Sequence, residues 1–159
     1  ENVGLLATSL HAQGDYAEAL MTESPASRNH PRLSIEDFEE GRHFPTMDGK
    51  NVFKLAVRRL PEVSQIVLDK AGLTLDDIDM VIPHQANLRI NQFFQKAMGI
   101  PDEKIFNNIQ RYGNTTAGTI PIALDEVIEQ NLIPKERATV LFAGLGAGVT
   151  WGAMIFRFM

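Results

Sequence analysis

Residues 80–98 read MVIPHQANLRINQFFQKAM, and this stretch indicates the fold class. Residues 80–82 are a short apolar run of the kind that forms a fully buried strand. The apolar residues that follow recur at helical spacing until Gly99, a common helix-ending residue. They are Ile90, Phe93, Phe94, Ala97 and Met98. A buried strand followed directly by an amphipathic helix is the building unit of α/β proteins.

The segments before this unit continue the alternation. Residues 3–14 are apolar and partly alternating, which predicts a buried strand. Residues 48–71 carry apolar side chains near a 3.6-residue period and predict an amphipathic helix. Pro61 is expected to kink or break that helix, because it removes a backbone hydrogen bond. Residues 22–49 hold three prolines, two glycines and many charges, and they predict a surface loop with one short helix around 35–40.

Four further elements follow the central unit. They are a short strand at 104–109, a helix capped by Thr115 or Thr116 with Pro121 tolerated in its first turns, and two strands at 138–143 and 150–158 around the glycine-rich GLGAG. The order predicts one α/β domain spanning 1–159, with a mixed, mainly parallel five-stranded sheet and helices on its faces. The last two strands should be antiparallel because their loop is short. Ligands of such sheets bind beyond the carboxyl ends of the strands.

Composition excludes several functions. With 44% hydrophobic and 22% charged residues, the 159-residue chain resembles an ordinary soluble domain. A net charge of −5 argues against bulk nucleic-acid binding, which needs a basic face. Neither a membrane-spanning stretch nor a signal peptide is evident, so we expect a cytoplasmic protein with no membrane contact. The sequence begins at Glu1 without methionine, and we expect a processed or truncated product.

Several common chemistries are also disfavoured. The four histidines are scattered and the chain has no cysteine, so we expect no metal site, no disulfide and no thiol nucleophile within it. No serine stands in a G-x-S-x-G motif. GLGAG precedes a strand and opens no helix, so a nucleotide-binding role is weakly supported. It has two remaining interpretations: a tight turn between strands, or a loop whose backbone N–H groups approach a reacting oxygen.

Polar groups follow the ends of three predicted strands. His84 lies two residues past 80–82, Asn114 follows 104–109, and the glycine loop follows 138–143. Taken alone, His84 is better explained as a structural histidine and Asn114 as turn chemistry. Together at one sheet edge, an imidazole N–H and an amide N–H can both donate to one carbonyl oxygen. They would form an oxyanion hole suited to an enolate.

Three blocks of sequence resemble a known family. VIPHQANLRI, YGNTTAGTIPIALDEVI and GAGVTWGAMIFRF, in this order, resemble the C-terminal half of β-ketoacyl-acyl-carrier-protein synthase III, a condensing enzyme of the thiolase fold. MDGKNVFKLAV at 47–57 resembles the family's segment that leads into a long helix. The resemblance runs from about residue 3 to the end and is strongest over 47–158.

The resemblance implies a decarboxylative Claisen condensation between an acyl-CoA starter and malonyl-acyl carrier protein in fatty-acid synthesis, with no cofactor. His84 and Asn114 match the catalytic pair that donates hydrogen bonds to the malonyl thioester carbonyl. Ala147 matches the position whose backbone N–H serves the acyl-cysteine carbonyl. Asn87 and Arg89 match positions at the pantetheine tunnel and the carrier-protein docking face. Further candidates for a basic docking patch are Lys50, Lys54, Arg58, Arg59 and Lys96.

The nucleophilic cysteine of that family has no counterpart in this chain. In the family it belongs to the N-terminal half, together with most of the homodimer interface. We therefore expect a C-terminal fragment, or one chain of a split protein, that is inactive alone. Two other interpretations stay open: a chain-starting polyketide or quinolone-type synthase of the same fold, and a non-catalytic module that binds carrier protein.

Overall fold

The computed structural model describes residues 3–159; Glu1 and Asn2, part of the predicted 1–159 domain, lie outside the described residues. The strands are β1 (Gly4–Ala12), β2 (Leu20–Thr22), β3 (Pro45–Met47), β4 (Met80–Pro83), β5 (Thr139–Gly146) and β6 (Thr150–Arg157). The helices are α1 (Ile35–Glu39), α2 (Gly49–Ala71), α3 (Leu88–Met98), α4 (Ile109–Tyr112) and α5 (Thr119–Glu129), with short 3₁₀ turns between several elements. The predicted α/β class is confirmed.

The main sheet has four strands in the order β1-β6-β5-β4. β5 and β6 form the predicted antiparallel pair, and β1 is antiparallel to β6 on its other side. Only β4 and β5 are parallel, with Met80 opposite Val140. The prediction of a mainly parallel sheet is therefore wrong, because β6 forms antiparallel pairs with both β1 and β5.

The predicted fifth strand at 104–109 is also wrong. This segment makes one isolated parallel bridge, between Ile105 and Val81, and the N–H of Phe106 donates to the Val81 carbonyl at 3.0 Å. Beyond that point the side-chain oxygen of Gln85 accepts from the backbone N–H groups of Asn108 and Ile109, at 3.1 and 3.3 Å. The chain then turns into α4 instead of continuing along the sheet.

Helix α2 covers one face of the sheet as a single helix of 23 residues. Asp48 caps its first turn, and Gly72, with φ 65°, ends it in the left-handed conformation that glycine adopts readily. The break considered at Pro61 does not occur within this helix. Leu60 and Val63, on either side of it, are buried in the core, and their packing outweighs the lost backbone hydrogen bond.

The opposite face is covered by α5. A cluster of apolar side chains fills the space between α5 and the sheet, and it comprises Met80, Ile82, Ala123, Val127, Val140 and Phe142. The N-cap of α5 is Gly118, which makes no side-chain cap, so the predicted capping by Thr115 or Thr116 is wrong. A 3₁₀ turn, Thr116–Gly118, precedes the helix.

Residues 22–49 contain more secondary structure than the predicted surface loop. Helix α1 lies where the short helix is predicted, with a capping box between Ser34 and Asp37. Strand β3 closes the segment by pairing with β2. Arg42 reaches the buried Asp37 carboxylate at 2.8 Å. Donation from the Ser34 backbone N–H and from Arg42 lowers the pKa of Asp37 to about 2.

Candidate active site

A cavity of about 1180 Å³ opens beyond the carboxyl ends of β4 and β5. Its apolar wall comes mainly from α2, α3, α5 and the β5–β6 pair, and includes Val52, Phe53, Ala56, Leu60, Ile90, Ile120, Leu145 and Trp151. Four of the five residues predicted for the site line this cavity, namely His84, Asn87, Asn114 and Ala147. Arg89 is not among the lining residues and lies on the exposed first turn of α3.

His84 directly follows β4 and is fixed from two sides. Its backbone N–H donates to the Ala143 carbonyl at 2.8 Å, which extends the parallel pairing past the strand end. Its Nδ1 lies 2.6 Å from Oγ1 of Thr119, the first residue of α5. A Cβ at Gly144 would stand 3.4 Å from the His84 Cβ, in van der Waals contact, so His84 lies directly against the backbone of β5. Burial lowers the pKa of His84, and the imidazole is neutral at pH 7.

Asn114 stands two residues after α4, beyond Gly113, whose φ of 69° suits glycine. Its Oδ1 accepts a hydrogen bond from the backbone N–H of Thr116 at 2.9 Å. This bond assigns the amide orientation, because a backbone N–H can be accepted only by the oxygen. The two Nδ2 protons are then left for a ligand, since no other partner of this side chain is found within residues 3–159.

Ala147 lies in the turn between β5 and β6. The turn is compact: the Thr150 hydroxyl donates to the Ala147 carbonyl at 3.2 Å, and Gly148 N–H donates to the Leu20 carbonyl at 3.2 Å. Gly148 and the buried Val149 have φ of 71° and 48°. The Gly148 N–H is thus occupied by the protein, which leaves Ala147 as the better candidate for a backbone donor into the cavity.

The family model described as 3-Oxoacyl-[acyl-carrier-protein (ACP)] synthase III C terminal matches residues 68–158, more than half of the chain. The chain belongs to this family.

Individual relatives agree with the family match. The chain is 41% identical over 157 residues to a β-ketoacyl-[acyl-carrier-protein] synthase III of Natranaerobius thermophilus, covering 99% of this chain and 47% of that protein. It is 43% identical over 152 residues to the Geobacillus kaustophilus protein of the same name, covering 91% and 48%. The crystal structure of a synthase III from Thermus thermophilus superposes with a TM-score of 0.87 at 36% identity, covering 100% and 47%. The chain therefore spans about half the length of these relatives.

In this member of the synthase III C-terminal family, Asn87 has a structural function as well. It is the N-cap of α3, and its Oδ1 accepts the backbone N–H of Arg89 at 2.9 Å. The same side chain lines the cavity. Asn87 thus links the cavity wall to the start of the helix that carries Arg89.

The basic residues near this helix fall into two groups. Lys50, Lys54 and Lys96 are exposed and have no ion pair within the described chain. Arg58 and Arg59 instead pair with Glu62 at 2.9 and 2.8 Å. Arg59 also lies over the Trp151 ring, 5.0 Å from its centroid. Arg58 and Arg59 therefore contribute less free positive charge than the sequence indicates.

Sequence reasoning missed Thr119 and gave Gln85 no function. Thr119 is 2% exposed and contacts a residue 35 positions away, which no local pattern reveals. Gln85 is 1% exposed. The signal available for it was its position inside a polar run at a strand end, where a buried amide must find several partners.

Within residues 3–159, no group of three or more His, Asp or Glu side chains is placed to hold a metal ion. No helix in that range has both the length and the apolar character needed to cross a membrane.

Proposed function

We propose that this chain is the enolate-stabilising half of a β-ketoacyl-[acyl-carrier-protein] synthase III, which condenses an acyl-CoA starter with malonyl-acyl carrier protein in fatty-acid synthesis. The observation that carries the proposal is that His84 and Asn114 line one cavity. Nδ1 of His84 contacts the Thr119 hydroxyl, and Oδ1 of Asn114 accepts the backbone N–H of Thr116. Nε2 of the imidazole and Nδ2 of the amide are then the groups available to one substrate oxygen. The names of the relatives favour this enzyme over a polyketide or quinolone-type synthase.

The proposed chemistry starts with malonyl thioester bound so that its carbonyl oxygen accepts from both donors. The bond to the carboxylate carbon breaks, CO2 leaves, and the electron pair moves into the thioester to give an enolate. The enolate carbon then attacks the acyl-cysteine carbonyl, a carbon–carbon bond forms and the cysteine thiolate leaves. In this proposal the backbone N–H of Ala147 stabilises the second oxyanion. Removing one such donor typically slows a reaction about 100- to 1000-fold.

A neutral His84 suits this assignment. The reaction needs a hydrogen-bond donor at Nε2 and no general base, and the lowered pKa keeps the ring neutral at pH 7. When the Thr119 hydroxyl donates to Nδ1, the single ring proton resides on Nε2. In the proposed mechanism Thr119 donates this hydrogen bond and so favours the tautomer that the reaction requires.

Asn87 and Arg89 are assigned to substrate delivery. Asn87 lines the cavity beside His84 and would contact the pantetheine arm. Arg89, with Lys50, Lys54 and Lys96, would meet the acidic carrier protein. Such charge complementarity mainly raises the association rate and sets the docking orientation.

The nucleophile must come from outside this sequence, which has no cysteine and spans about half of its relatives. We assign the cysteine, the remainder of the acyl pocket and the homodimer interface to an N-terminal half. "Complete synthase" below means the protein in which this chain is joined to that half. We expect no β-ketoacyl product from the 159-residue chain alone.

The test separates the two half-reactions in the complete synthase. Acyl loading is measured as transfer of labelled acyl groups from acyl-CoA to the protein, and decarboxylation as release of labelled CO2 from malonyl-carrier protein. His84→Ala and Asn114→Ala should each lower decarboxylation about 100-fold or more and leave loading nearly unchanged. His30→Ala changes an exposed histidine that does not line the cavity and is the matched control.

Equal loss of both half-reactions would give the pair a structural function. Carrier-protein binding without either half-reaction in the unaltered complete synthase would favour a non-catalytic module.

A further inference from the structure

We propose that Gln85 and Glu126 are positioning residues that hold Asn114 in place opposite His84. This inference rests on the proposed function, because it concerns the geometry of the same donor pair. Neither residue lines the cavity, so both would act through the segment that leads to Asn114.

Gln85 uses its whole amide group on the protein. Its Nε2 donates to the carbonyls of Pro83, at 2.7 Å, and Phe106, at 3.2 Å. Its Oε1 accepts from the backbone N–H groups of Asn108, at 3.1 Å, and Ile109, at 3.3 Å. An amide offers two protons and two lone pairs, and all four are occupied. The side chain therefore joins the end of β4 to the start of α4.

These hydrogen bonds connect α4 to His84 because of where Gln85 lies in the chain. It directly follows His84, and its carbonyl acceptor Pro83 directly precedes His84. The first turn of α4 is consequently tied to the backbone on both sides of the histidine.

Glu126 holds the same short helix from its other side. The residue is 8% exposed, and its carboxylate accepts from Asn108 Nδ2 at 2.9 Å, Arg111 at 2.6 Å and the Tyr112 hydroxyl at 2.7 Å. Burial raises the pKa of Glu126, but the donors from Asn108 and Tyr112 and the charge of Arg111 outweigh it and lower the pKa overall. The group is thus an ionised carboxylate with three donors.

Glu126 belongs to α5, about two helical turns after Thr119, the residue that contacts His84 Nδ1. α4 is therefore bonded to both elements that hold His84, namely the end of β4 and helix α5. Asn114 follows α4 after the single residue Gly113. This network fixes the position of Asn114 relative to His84 without either network residue touching substrate.

The expected effect on the catalytic rate depends on how far Asn114 is displaced. A displacement of about 1 Å in a reacting group costs on the order of 100-fold in rate. Loosening one end of α4 should therefore slow the step that needs Asn114 and spare the step that does not.

The test uses Gln85→Met and Glu126→Gln in the complete synthase. Each should lower kcat for malonyl decarboxylation about 10- to 100-fold, leave its KM nearly unchanged and leave acyl loading intact. Matched controls are Gln92→Met on the exposed face of α3 and Glu129→Gln, which removes the same charge from the same helix as Glu126. Both controls should behave as the unaltered enzyme.

A second readout uses NMR of the complete synthase. The side-chain amide resonances of Asn114 should shift or broaden in both network variants, while the His84 ring keeps its tautomer. If Gln85→Met does not fold, Glu126→Gln decides alone, because it keeps the size of the side chain.

Unchanged decarboxylation, a rise in KM alone, or equal loss of both half-reactions would overturn the positioning assignment. If the unaltered complete synthase does not decarboxylate malonyl thioester, the proposed function fails first. An active enzyme with unaffected variants refutes only the present inference.

Discussion

Thr119→Val is the most informative single change, because valine keeps the shape of threonine and lacks its hydroxyl. Oγ1 of Thr119 lies 2.6 Å from Nδ1 of His84, and the side chain is 2% exposed. Valine cannot donate to Nδ1, so the hydrogen bond that favours the Nε2–H tautomer in the proposed arrangement is lost. We therefore expect the His84 ring to lose its preference for the tautomer that carries the proton on Nε2.

The size of the effect follows from the energy of one hydrogen bond. A net contribution of about 0.5–1.5 kcal/mol corresponds to roughly a 2- to 13-fold change in the tautomer ratio. Malonyl decarboxylation by the complete synthase should fall by no more than this factor, since the Nε2–H tautomer remains populated. The loss is smaller than the roughly 100-fold expected when the His84 donor is removed entirely. Removing the hydroxyl partner of the part-buried Nδ1 should also lower the free energy of unfolding by about 0.5–1.5 kcal/mol.

The assay is ¹⁵N NMR of the histidine-labelled 159-residue chain at pH 7, where the ring is neutral and protonated and unprotonated ring nitrogens have distinct shifts. The unaltered chain should show a protonated Nε2 at His84, and Thr119→Val a mixture. Thr22→Val, at an exposed strand end, is the matched control. A proton on Nδ1 in the unaltered chain, or an unchanged ratio in Thr119→Val, would refute the reasoning.

Two predictions concern stability. A Cβ at Gly152 would lie 3.0 Å from the backbone carbonyl oxygen of Ser9, which cannot rotate away as the exposed Leu10 side chain can, so Gly152→Ala should lower the free energy of unfolding in urea by about 1 kcal/mol. Gly14→Ala, where a Cβ meets open space, should change it little, and equal losses would contradict the steric argument. Hydrogen bonds hold the pKa of Asp37 at about 2, below the 3.8 of an unperturbed carboxyl, so its stabilisation is present above pH 3.8 and is lost as the pH falls toward 2. Pepsin cleavage within 22–49, normalised to an unfolded peptide of the same sequence, should accelerate over that range, and an Asp37→Asn chain that keeps this dependence would contradict the assignment.

The positions of most helices and strands could be predicted because their signals are local. The apolar run at 80–82 and the helical spacing after it correspond to β4 and α3, and Gly99 ends α3 in the left-handed conformation. Strand order could not be predicted, because β1 pairs with β6 across nearly the whole chain. The segment 104–109 has the composition of a strand, yet the side-chain amide of Gln85 takes the N–H groups of Asn108 and Ile109.

The candidate site could be predicted only in part. His84 follows strand β4 as predicted, whereas Asn114 follows helix α4 instead of the predicted strand at 104–109, and the structure still brings both side chains to one cavity. The functions of Thr119 and Glu126 could not be predicted, because in the sequence these residues are an ordinary threonine at a helix start and an acidic residue on a helix. Their functions depend on contacts with residues 35 and about 15 positions away.

The central claim, that His84 and Asn114 donate to one substrate oxygen, is tested most directly by a crystal structure of the complete synthase with a non-decarboxylating malonyl-thioester analogue. The account predicts that the thioester carbonyl oxygen lies about 2.7–3.1 Å from both His84 Nε2 and Asn114 Nδ2. A carbonyl oxygen held by only one of these nitrogens, or by neither, would contradict it.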